Sequence, residues 1–355
     1  MPVLFISSTG DHAGQSLTAW AIGRRLSEKG VRIGFLKPFG TKLIRVHNRW
    51  IDSDAVLFKE AFKLRETLDA ICPFMTSEAI GVHRGPLDLM KSVQSLAQER
   101  LMEIDLLIVL GAKHIFFDDV PYPLPDITMI NELNADLILT HRFKKVSTSL
   151  YSILSVISLL KKKVKGVIIN RVPGDQFEDT QGKIVPALIQ NGISNAVLLH
   201  EDPVLSLWSL REILDVLHGK LIWGEEFLDR PVDGMTVGTS DLHGDLLLFK
   251  RVYNKVILLG PSRMPLESRD QTGSRAIAGI LLTGDREPAE KVLEIAKKAK
   301  IPLILIKDDN FSVKEHLDLN TPTLVPSDQD KLLHFTNMMD QDDSLNRLIQ
   351  TLSIS

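Results

Sequence analysis

Residues 3–16 read VLFISSTGDHAGQS, and this stretch decides the fold of the chain. It opens with an apolar run at residues 3–6, which is typical of a buried strand. A loop of small and polar residues with two glycines follows, and the pattern then predicts a helix over residues 16–29. A buried strand that enters a helix through such a loop is the arrangement in which backbone N–H groups bind phosphate.

The loop differs from a working phosphate-binding loop, whose pattern is G-x-x-x-x-G-K-[ST]. Gly14 and Ser16 occupy the positions of the second glycine and the hydroxyl, whereas Thr9 replaces the first glycine and Gln15 the lysine. We expect the backbone, including Gly10, to keep its anion-binding shape while the fixed positive charge is lost. A charge-assisted contact contributes about 1.5–3 kcal/mol, or roughly 10- to 150-fold in affinity. The alternative is a tight strand-to-helix turn whose hydroxyls only cap the helix.

The first half of the chain continues as short apolar strands that alternate with helices. Further strands are predicted at residues 31–36, 106–110, 136–140, 166–170 and 197–199. Continuous apolar strands between helices predict an α/β fold, with a P-loop-type, mostly parallel sheet that has helices on both faces. Ligands of such sheets bind at the carboxyl ends of the strands.

Several residues at predicted strand ends are candidates for the site. Lys37 could face a phosphate or simply lie at the surface. Asp52 and Asp54 precede a helix, where they either hold magnesium or cap the helix, and capping is favoured. Asn170 could contact a nucleotide base or close a turn. Leu110 stands where a second metal-binding acid often lies.

A second, smaller α/β unit is predicted from about residue 208. Its strands are predicted at residues 255–259, 278–282 and 302–306, and its helices at 208–217, 242–251 and 288–300, again in βαβ order. It has no paired acids, histidine cluster or phosphate loop, and such domains more often bind or assemble than catalyse. We therefore expect a homo-oligomer, a two-fold dimer formed through this domain. The predicted division is residues 1–207, 208–340 and a frayed tail at 341–355.

Composition indicates which kinds of partner and which cellular compartment to expect. The formal net charge of −3 and the absence of a basic domain argue against nucleic-acid and membrane partners. Cys72 is the one cysteine, so no disulfide can form within the chain. No apolar run is long enough to span a bilayer, and the N-terminus lacks a signal-peptide pattern. We expect a cytoplasmic protein.

The order of these motifs resembles the dethiobiotin-synthetase-like branch of the P-loop fold. The residues that carry the resemblance are the loop at 8–16, GFLKP at 34–38, DSDA at 52–55 and GVIINRV at 166–172. The second half resembles the DRTGG domain through WGEE at 223–226, LDRPV at 228–232, VG at 237–238, Gly260, Arg263 and LLTG at 281–284. The pair is similar to the N-terminal region of long phosphate acetyltransferases and to standalone relatives of that region.

The resemblance implies a nucleotide site. Lys37 matches the family's strand-end lysine, Asp54 its metal-side acid and Asn170 its base-reading asparagine. The implied ligand is ATP or another nucleotide with Mg²⁺. Its predicted contacts are Thr9, Gly10, Gly14, Gln15, Ser16, Lys37 and Asn170, and its metal ligands are Ser16 and Asp54. Gln15 and Leu110 depart from the family pattern, and both departures argue against phosphoryl transfer.

Three functions agree with this reading. The first is a regulatory or ligand-sensing protein that binds a small molecule at a degenerate nucleotide site and is not catalytic on its own. In phosphate acetyltransferases this pair of domains lies outside the acetyl-transfer domain and is associated with regulation and assembly. Because the chain ends before such a domain, we do not expect it to make acetyl phosphate. The second is an ATP- and Mg²⁺-dependent ligase of the dethiobiotin or cobyrinate type that uses Lys37. The third is a structural partner that binds no ligand.

Overall fold

The computed structural model describes most of the chain as two compact units. The described residues are 2–46, 49–75, 85–112, 114–116, 124–237, 256–261, 278–283, 287–288, 290–319, 322, 324, 328–341 and 343–352. One unit comprises residues 1–202 and 324–355, and the other comprises residues 203–323. The predicted helix at 242–251, together with Gly238, Arg263 and Gly284, lies outside the described residues.

The first unit is built on a six-stranded parallel sheet. Its strands are β1 (Val3–Ser8), β2 (Ile33–Leu36), β7 (Leu106–Leu110), β8 (Asp136–Arg142), β9 (Val164–Val172) and β10 (Ala196–His200). Two-stranded pairs are formed by β3 (Phe39–Gly40) with β6 (Phe74–Met75) and by β4 (Leu43–Val46) with β5 (Arg49–Asp52). The order across the large sheet is β10-β9-β8-β1-β7-β2, and every neighbouring pair is parallel. The predicted fold class is confirmed.

The helices of this unit lie between the strands in sequence, as the alternating pattern predicts. They are α1 (Gln15–Glu28), α2 (Ser53–Ala61), α3 (Leu68–Ile71), α4 (Pro86–Leu101), α5 (Asp126–Glu132), α6 (Val146–Leu160) and α7 (Phe177–Gln190). All six residues of β1 are buried, because the strand lies between β8 and β7 in the middle of the sheet. The loop after β1 therefore lies at the centre of the sheet edge that the carboxyl ends of the strands form.

The second unit contains a mixed sheet in the order β11-β13-β14-β15-β16-β12. Its strands are β11 (Trp208–Ser209), β12 (Lys220–Trp223), β13 (Pro231–Val237), β14 (Val256–Pro261), β15 (Gly279–Thr283) and β16 (Leu303–Ile306). Its helices are α8 (Leu210–Val216), α9 (Glu290–Ala299) and α10 (Asn310–Leu319). Among the described strands only β15 and β16 pair in parallel, across α9, and the other neighbours are antiparallel. The predicted βαβ order is confirmed for β15, α9 and β16, whereas the remaining described neighbours pair antiparallel.

The chain returns to the first unit after residue 323, so the predicted end of the second domain at residue 340 is corrected. Helices α11 (Gln329–Asp340) and α12 (Ser344–Gln350) complete the first unit. Helix α11 packs on α1, where Arg25 forms an ion pair with Asp340. Leu345 and Leu348 of α12 are buried. The prediction of a frayed tail is wrong because these apolar side chains pack into the first unit.

In the part of the chain that the structure describes, no helix combines the length and the apolar character needed to cross a bilayer.

Candidate functional site

The phosphate-binding position is a left-handed turn that leads directly into α1. Gly14 is the N-cap of α1 with a φ of +89°, a conformation that favours glycine. Among the described residues no side chain caps this helix. The hydroxyl-capped turn considered as an alternative is therefore not found, and the first-turn N–H groups of α1 are left for a ligand or solvent.

The loop before Gly14 is attached to the end of β8. The backbone N–H of Thr9 donates to the carbonyl oxygen of Thr140 at 3.2 Å. The Thr9 hydroxyl also hydrogen-bonds Nδ1 of His141. Ser8 Oγ donates to the carbonyl oxygen of Gly10 at 2.8 Å, which shapes the turn. The threonine that replaces the first glycine thus anchors the loop to the neighbouring strand.

Gln15 points toward the end of β7. Its Nε2 donates to the carbonyl oxygen of Ala112 at 2.8 Å. The N–H of Ala112 in turn donates to Oδ1 of Asp126 at 3.0 Å, and Ser7 Oγ donates to Oδ2 of Asp126 at 2.6 Å. A buried acid therefore does lie at the end of β7, although it comes from α5 and not from the position of Leu110.

Lys37 is enclosed by two carboxylates and is only 1% exposed. Its Nζ lies 2.5 Å from Oδ2 of Asp54 and 3.0 Å from Oδ2 of Asp52. Burial opposes the charge, but the attraction of Asp52 and Asp54 outweighs it and raises the pKa of Lys37. Burial likewise opposes ionisation of Asp54, but the nearby Lys37 and Lys42 ammonium groups hold the pKa of Asp54 below its usual range. Lys37, Lys42, Asp52 and Asp54 thus form one cluster of ion pairs.

Asp52 acts as the cap of α2. Its Oδ1 accepts from the N–H groups of Asp54 and Ala55, and its Oδ2 accepts from those of Thr41 and Lys42. The capping interpretation of Asp52 is therefore confirmed. Its carboxylate also orders the turn at residues 41–42, so that Lys42 faces the loop after β1.

Ser16 and Asp54, the predicted metal ligands, lie side by side. A hydrogen bond from Ser16 contributes to lowering the pKa of Asp54. The Nζ of Lys42 donates to Ser16 Oγ at 3.0 Å and lies 3.7 Å from Oδ2 of Asp54. Oδ1 of Asp54 is buried and has no hydrogen-bond partner among the described residues. The described residues also contain no group of three or more histidine, cysteine or acidic side chains placed to hold a metal.

Asn170 contacts the loop from the opposite side. Its Nδ2 donates to the carbonyl oxygen of Ala13 at 3.4 Å, and its Oδ1 accepts from the N–H of Arg171 at 2.8 Å. Arg142 is the register partner of Asn170 across β8 and β9. The ends of these two strands therefore bring Arg142 and Arg171 beside the loop.

Two histidines at or beside the loop have pKa values that burial and the nearby positive charges lower. Burial, together with the charges of Lys42, Arg142 and Arg171, lowers the pKa of His12 to about 4 against the opposing effect of Asp11. Burial, with a smaller effect of Lys144, lowers the pKa of His141 to about 4. Both imidazoles are neutral at pH 7, so cationic side chains dominate around the loop.

The structure brings the predicted site residues together in one region. Thr9, Gly10, Gly14, Gln15 and Ser16 form the loop, Asn170 contacts it through Ala13, and Lys37 joins it through Asp54 and Ser16. Their roles toward a nucleotide stay predictions. Sequence reasoning missed Lys42, Asp126, His141 and Arg142. The small Gly111-Ala112 pair after β7 was a usable signal for Asp126, since it leaves room for a carboxylate.

Two family models match the two halves of the chain. The family of the AAA domain matches residues 3–206, and that of the DRTGG domain matches residues 212–319. A phosphate acetyltransferase of Deinococcus radiodurans is 21% identical over 94% of this chain, which spans 49% of the length of that relative. Similar solved structures include the MinD cell division protein of Aquifex aeolicus and the signal recognition particle receptor FtsY of Elizabethkingia anophelis. MinD matches with a TM-score of 0.35 and 16% identity over 58% of this chain and 84% of its own. FtsY matches with a TM-score of 0.33 and 10% identity, over 57% of this chain and 59% of the FtsY chain.

Proposed function

Since the chain belongs to the AAA domain family and continues into a DRTGG domain, we propose that it is a ligand-sensing regulatory protein. Its first unit binds a phosphate-bearing small molecule, a nucleotide in the first instance, at the loop between β1 and α1. Its second unit serves assembly. The chain spans about half the length of its phosphate acetyltransferase relative.

The observation that carries this proposal is the N-terminus of α1. Gly14 turns the backbone into the helix without a side-chain cap among the described residues, so the first-turn N–H groups are available. The positive end of a helix dipole and these donors together favour a phosphate. The loop also lies at the carboxyl edge of the central strand, where ligands of parallel α/β sheets bind.

Binding is favoured over turnover by the way the polar side chains are engaged. The Gln15 amide is bound to Ala112, and both oxygens of Asp126 accept hydrogen bonds from the protein. Lys37, which a ligase would need, is held by Asp52 and Asp54. Little remains to stabilise charge that develops on a transferred phosphoryl group.

Self-association is proposed for the second unit. Phe311 at the start of α10 is 76% exposed, although phenylalanine is usually buried. An exposed aromatic residue on a unit whose described residues form no evident site supports an assembly role. A two-fold dimer is the commonest arrangement for such a surface.

Thermal unfolding with a small panel of ligands tests the proposal. ATP, ADP, acetyl phosphate and coenzyme A are each added to the full chain, with Gly14→Ala as a variant altered at the loop. A ligand at 100 times its Kd stabilises the protein by about 2.7 kcal/mol. We expect at least one to stabilise the wild type but not Gly14→Ala. Stabilisation by none favours the purely structural role, and Mg²⁺-dependent ATP hydrolysis with a carboxylate substrate favours the ligase.

A further inference from the structure

An ammonium group lies against both predicted magnesium ligands. Nζ of Lys42 lies 3.0 Å from Ser16 Oγ and 3.7 Å from Asp54 Oδ2. A Mg²⁺ ion would need oxygens about 2.0–2.1 Å away in octahedral geometry. The residues as arranged do not fit this ion, because it would have to displace Lys42.

The charges of the cluster are also already balanced. The carboxylates of Asp52 and Asp54 face the ammonium groups of Lys37 and Lys42. Oδ2 of Asp54 is shared by both lysines, so only its buried Oδ1 lacks a partner among the described residues. A divalent cation placed there would lie next to two ammonium groups, which repel it at short range.

Further cations lie on the other side of the loop. The ends of β8 and β9 contact it through the His141–Thr9 and Asn170–Ala13 hydrogen bonds. Arg142 and Arg171 directly follow those two contact residues in the chain. Both arginines are half-buried, and burial, with a smaller effect of the charge of Arg142, lowers the pKa of Arg171. Guanidinium groups repel each other because they carry like charges, and a phosphate that accepts hydrogen bonds from both relieves this repulsion.

From this placement we infer that the site binds its phosphate-bearing ligand without Mg²⁺, with Lys42 as its built-in cation. Lys42, Arg142 and Arg171 then supply the positive charge that a loop lysine and a metal ion supply in a working phosphate-binding loop. Ser16 serves here as an acceptor for the Lys42 ammonium. This inference rests on the proposed function, since it concerns the same loop.

Calorimetric titration of the full chain tests the inference. ATP and, separately, inorganic pyrophosphate are titrated in buffer with EDTA and in buffer with MgCl₂. We expect the wild type to bind in EDTA at least as tightly as in MgCl₂. Lys42→Met keeps the apolar stem but removes the charge, and it should weaken binding in EDTA by about tenfold or more. With Ser16 and Asp54 released, MgCl₂ should restore part of that loss.

Two further variants complete the design. Lys42→Arg keeps the charge and should retain binding in EDTA. Lys183→Met removes an exposed lysine from α7 and should bind as the wild type does. Thermal unfolding of each variant checks that it is folded. Wild-type binding that requires MgCl₂, or full binding by Lys42→Met in EDTA, overturns the inference and leaves the proposed function standing. Binding of neither probe in either buffer overturns both.

Discussion

Gly14 and Asn170 are in such close contact that a Cβ atom on Gly14 would lie 2.6 Å from Nδ2 of Asn170. Gly14 also has a φ of +89°, which side chains rarely adopt. Position 14 thus favours glycine for two independent reasons. The contact joins the end of β9 to the N-terminus of α1, so the shape of the loop depends on both elements.

The first prediction concerns this contact. Gly14→Ala should lower the free energy of unfolding by about 1–3 kcal/mol, because it combines backbone strain with overpacking. It should also weaken ATP binding, since the turn that aims the first N–H groups is displaced. Gly10→Ala is the matched control in the same loop, where a Cβ meets nothing within 4 Å. Urea unfolding and calorimetry measure both effects, and equal losses in the two variants would contradict the explanation.

The second prediction concerns the missing loop lysine. Gln15→Lys should tighten ATP binding by roughly one to two orders of magnitude, because it adds a charge-assisted contact. Gln15→Met removes the amide without adding charge and separates that gain from loss of the bond to Ala112. Calorimetric titration measures the affinities. An unchanged affinity of Gln15→Lys would show that the loop no longer accepts phosphate.

The third prediction concerns turnover. The wild type should hydrolyse ATP at the rate of a protein-free blank, in the presence of Mg²⁺ and with a carboxylate substrate added. Gln15 carries no charge, and Lys37 is held by two carboxylates, so charge on the transferred group is poorly stabilised. Phosphate release measures the rate. Strong turnover by the wild type that is lost in a folded Lys37→Met variant would favour the ligase hypothesis.

The fourth prediction concerns pH. Burial lowers the pKa of His141 to about 4, whereas an unfolded histidine titrates near 6.5. Between these values the unfolded chain binds a proton that the folded chain does not. The free energy of unfolding should therefore fall as the pH falls from about 6.5 to 4, by up to about 1.4 kcal/mol per pH unit for this residue.

Urea unfolding at several pH values measures this dependence. His141→Asn should have a shallower slope than the wild type within the window and a similar slope above it. His12, whose pKa is also lowered to about 4, keeps part of the dependence in that variant. His316→Asn changes an exposed histidine of the second unit and serves as the control. An identical slope in His141→Asn would mean that this imidazole is not neutral in the folded chain.

The fifth prediction concerns assembly. The full chain should sediment at micromolar concentration as a dimer, and Phe311→Asp should shift it toward the monomer by placing a charge in the proposed contact. Leu87→Asp is a matched control, since Leu87 of the first unit is 77% exposed against 76% for Phe311. Dissociation by Leu87→Asp but not by Phe311→Asp would assign assembly to the first unit instead.

The central strand, the loop and α1 were predictable because their signals are local. A continuous apolar run, a glycine turn and a helical pattern lie next to one another in residues 3–29. Lys37 was correctly predicted to lie near a strand end, but its burial was not predicted. The lysine is buried because it forms ion pairs with Asp52 and Asp54, which come from a later part of the chain. The contact of Ser7 with Asp126 joins residues 119 positions apart and has no local signal.

In the second unit, the positions of strands could be predicted from local sequence, but their directions could not. Apolar runs located β15 and β16 within a residue or two, since their side chains are buried. Whether neighbouring strands run parallel or antiparallel depends on the connections between them, which the periodicity of the strands does not encode. Helix α12 was not predicted, because Leu345 and Leu348 stand in a polar stretch of sequence. These leucines become core residues only when the helix packs into the first unit.

The return of residues 324–355 to the first unit has a consequence for biosynthesis. A nascent chain emerges from the ribosome in order, so the parallel sheet at residues 3–200 is available long before the helices that cover α1. The ion pair of Arg25 with Asp340 closes only after the entire intervening unit has been translated. The surface of α1 that α11 covers therefore stays exposed until the intervening unit has been synthesised, and the first unit is completed only after the second unit has emerged.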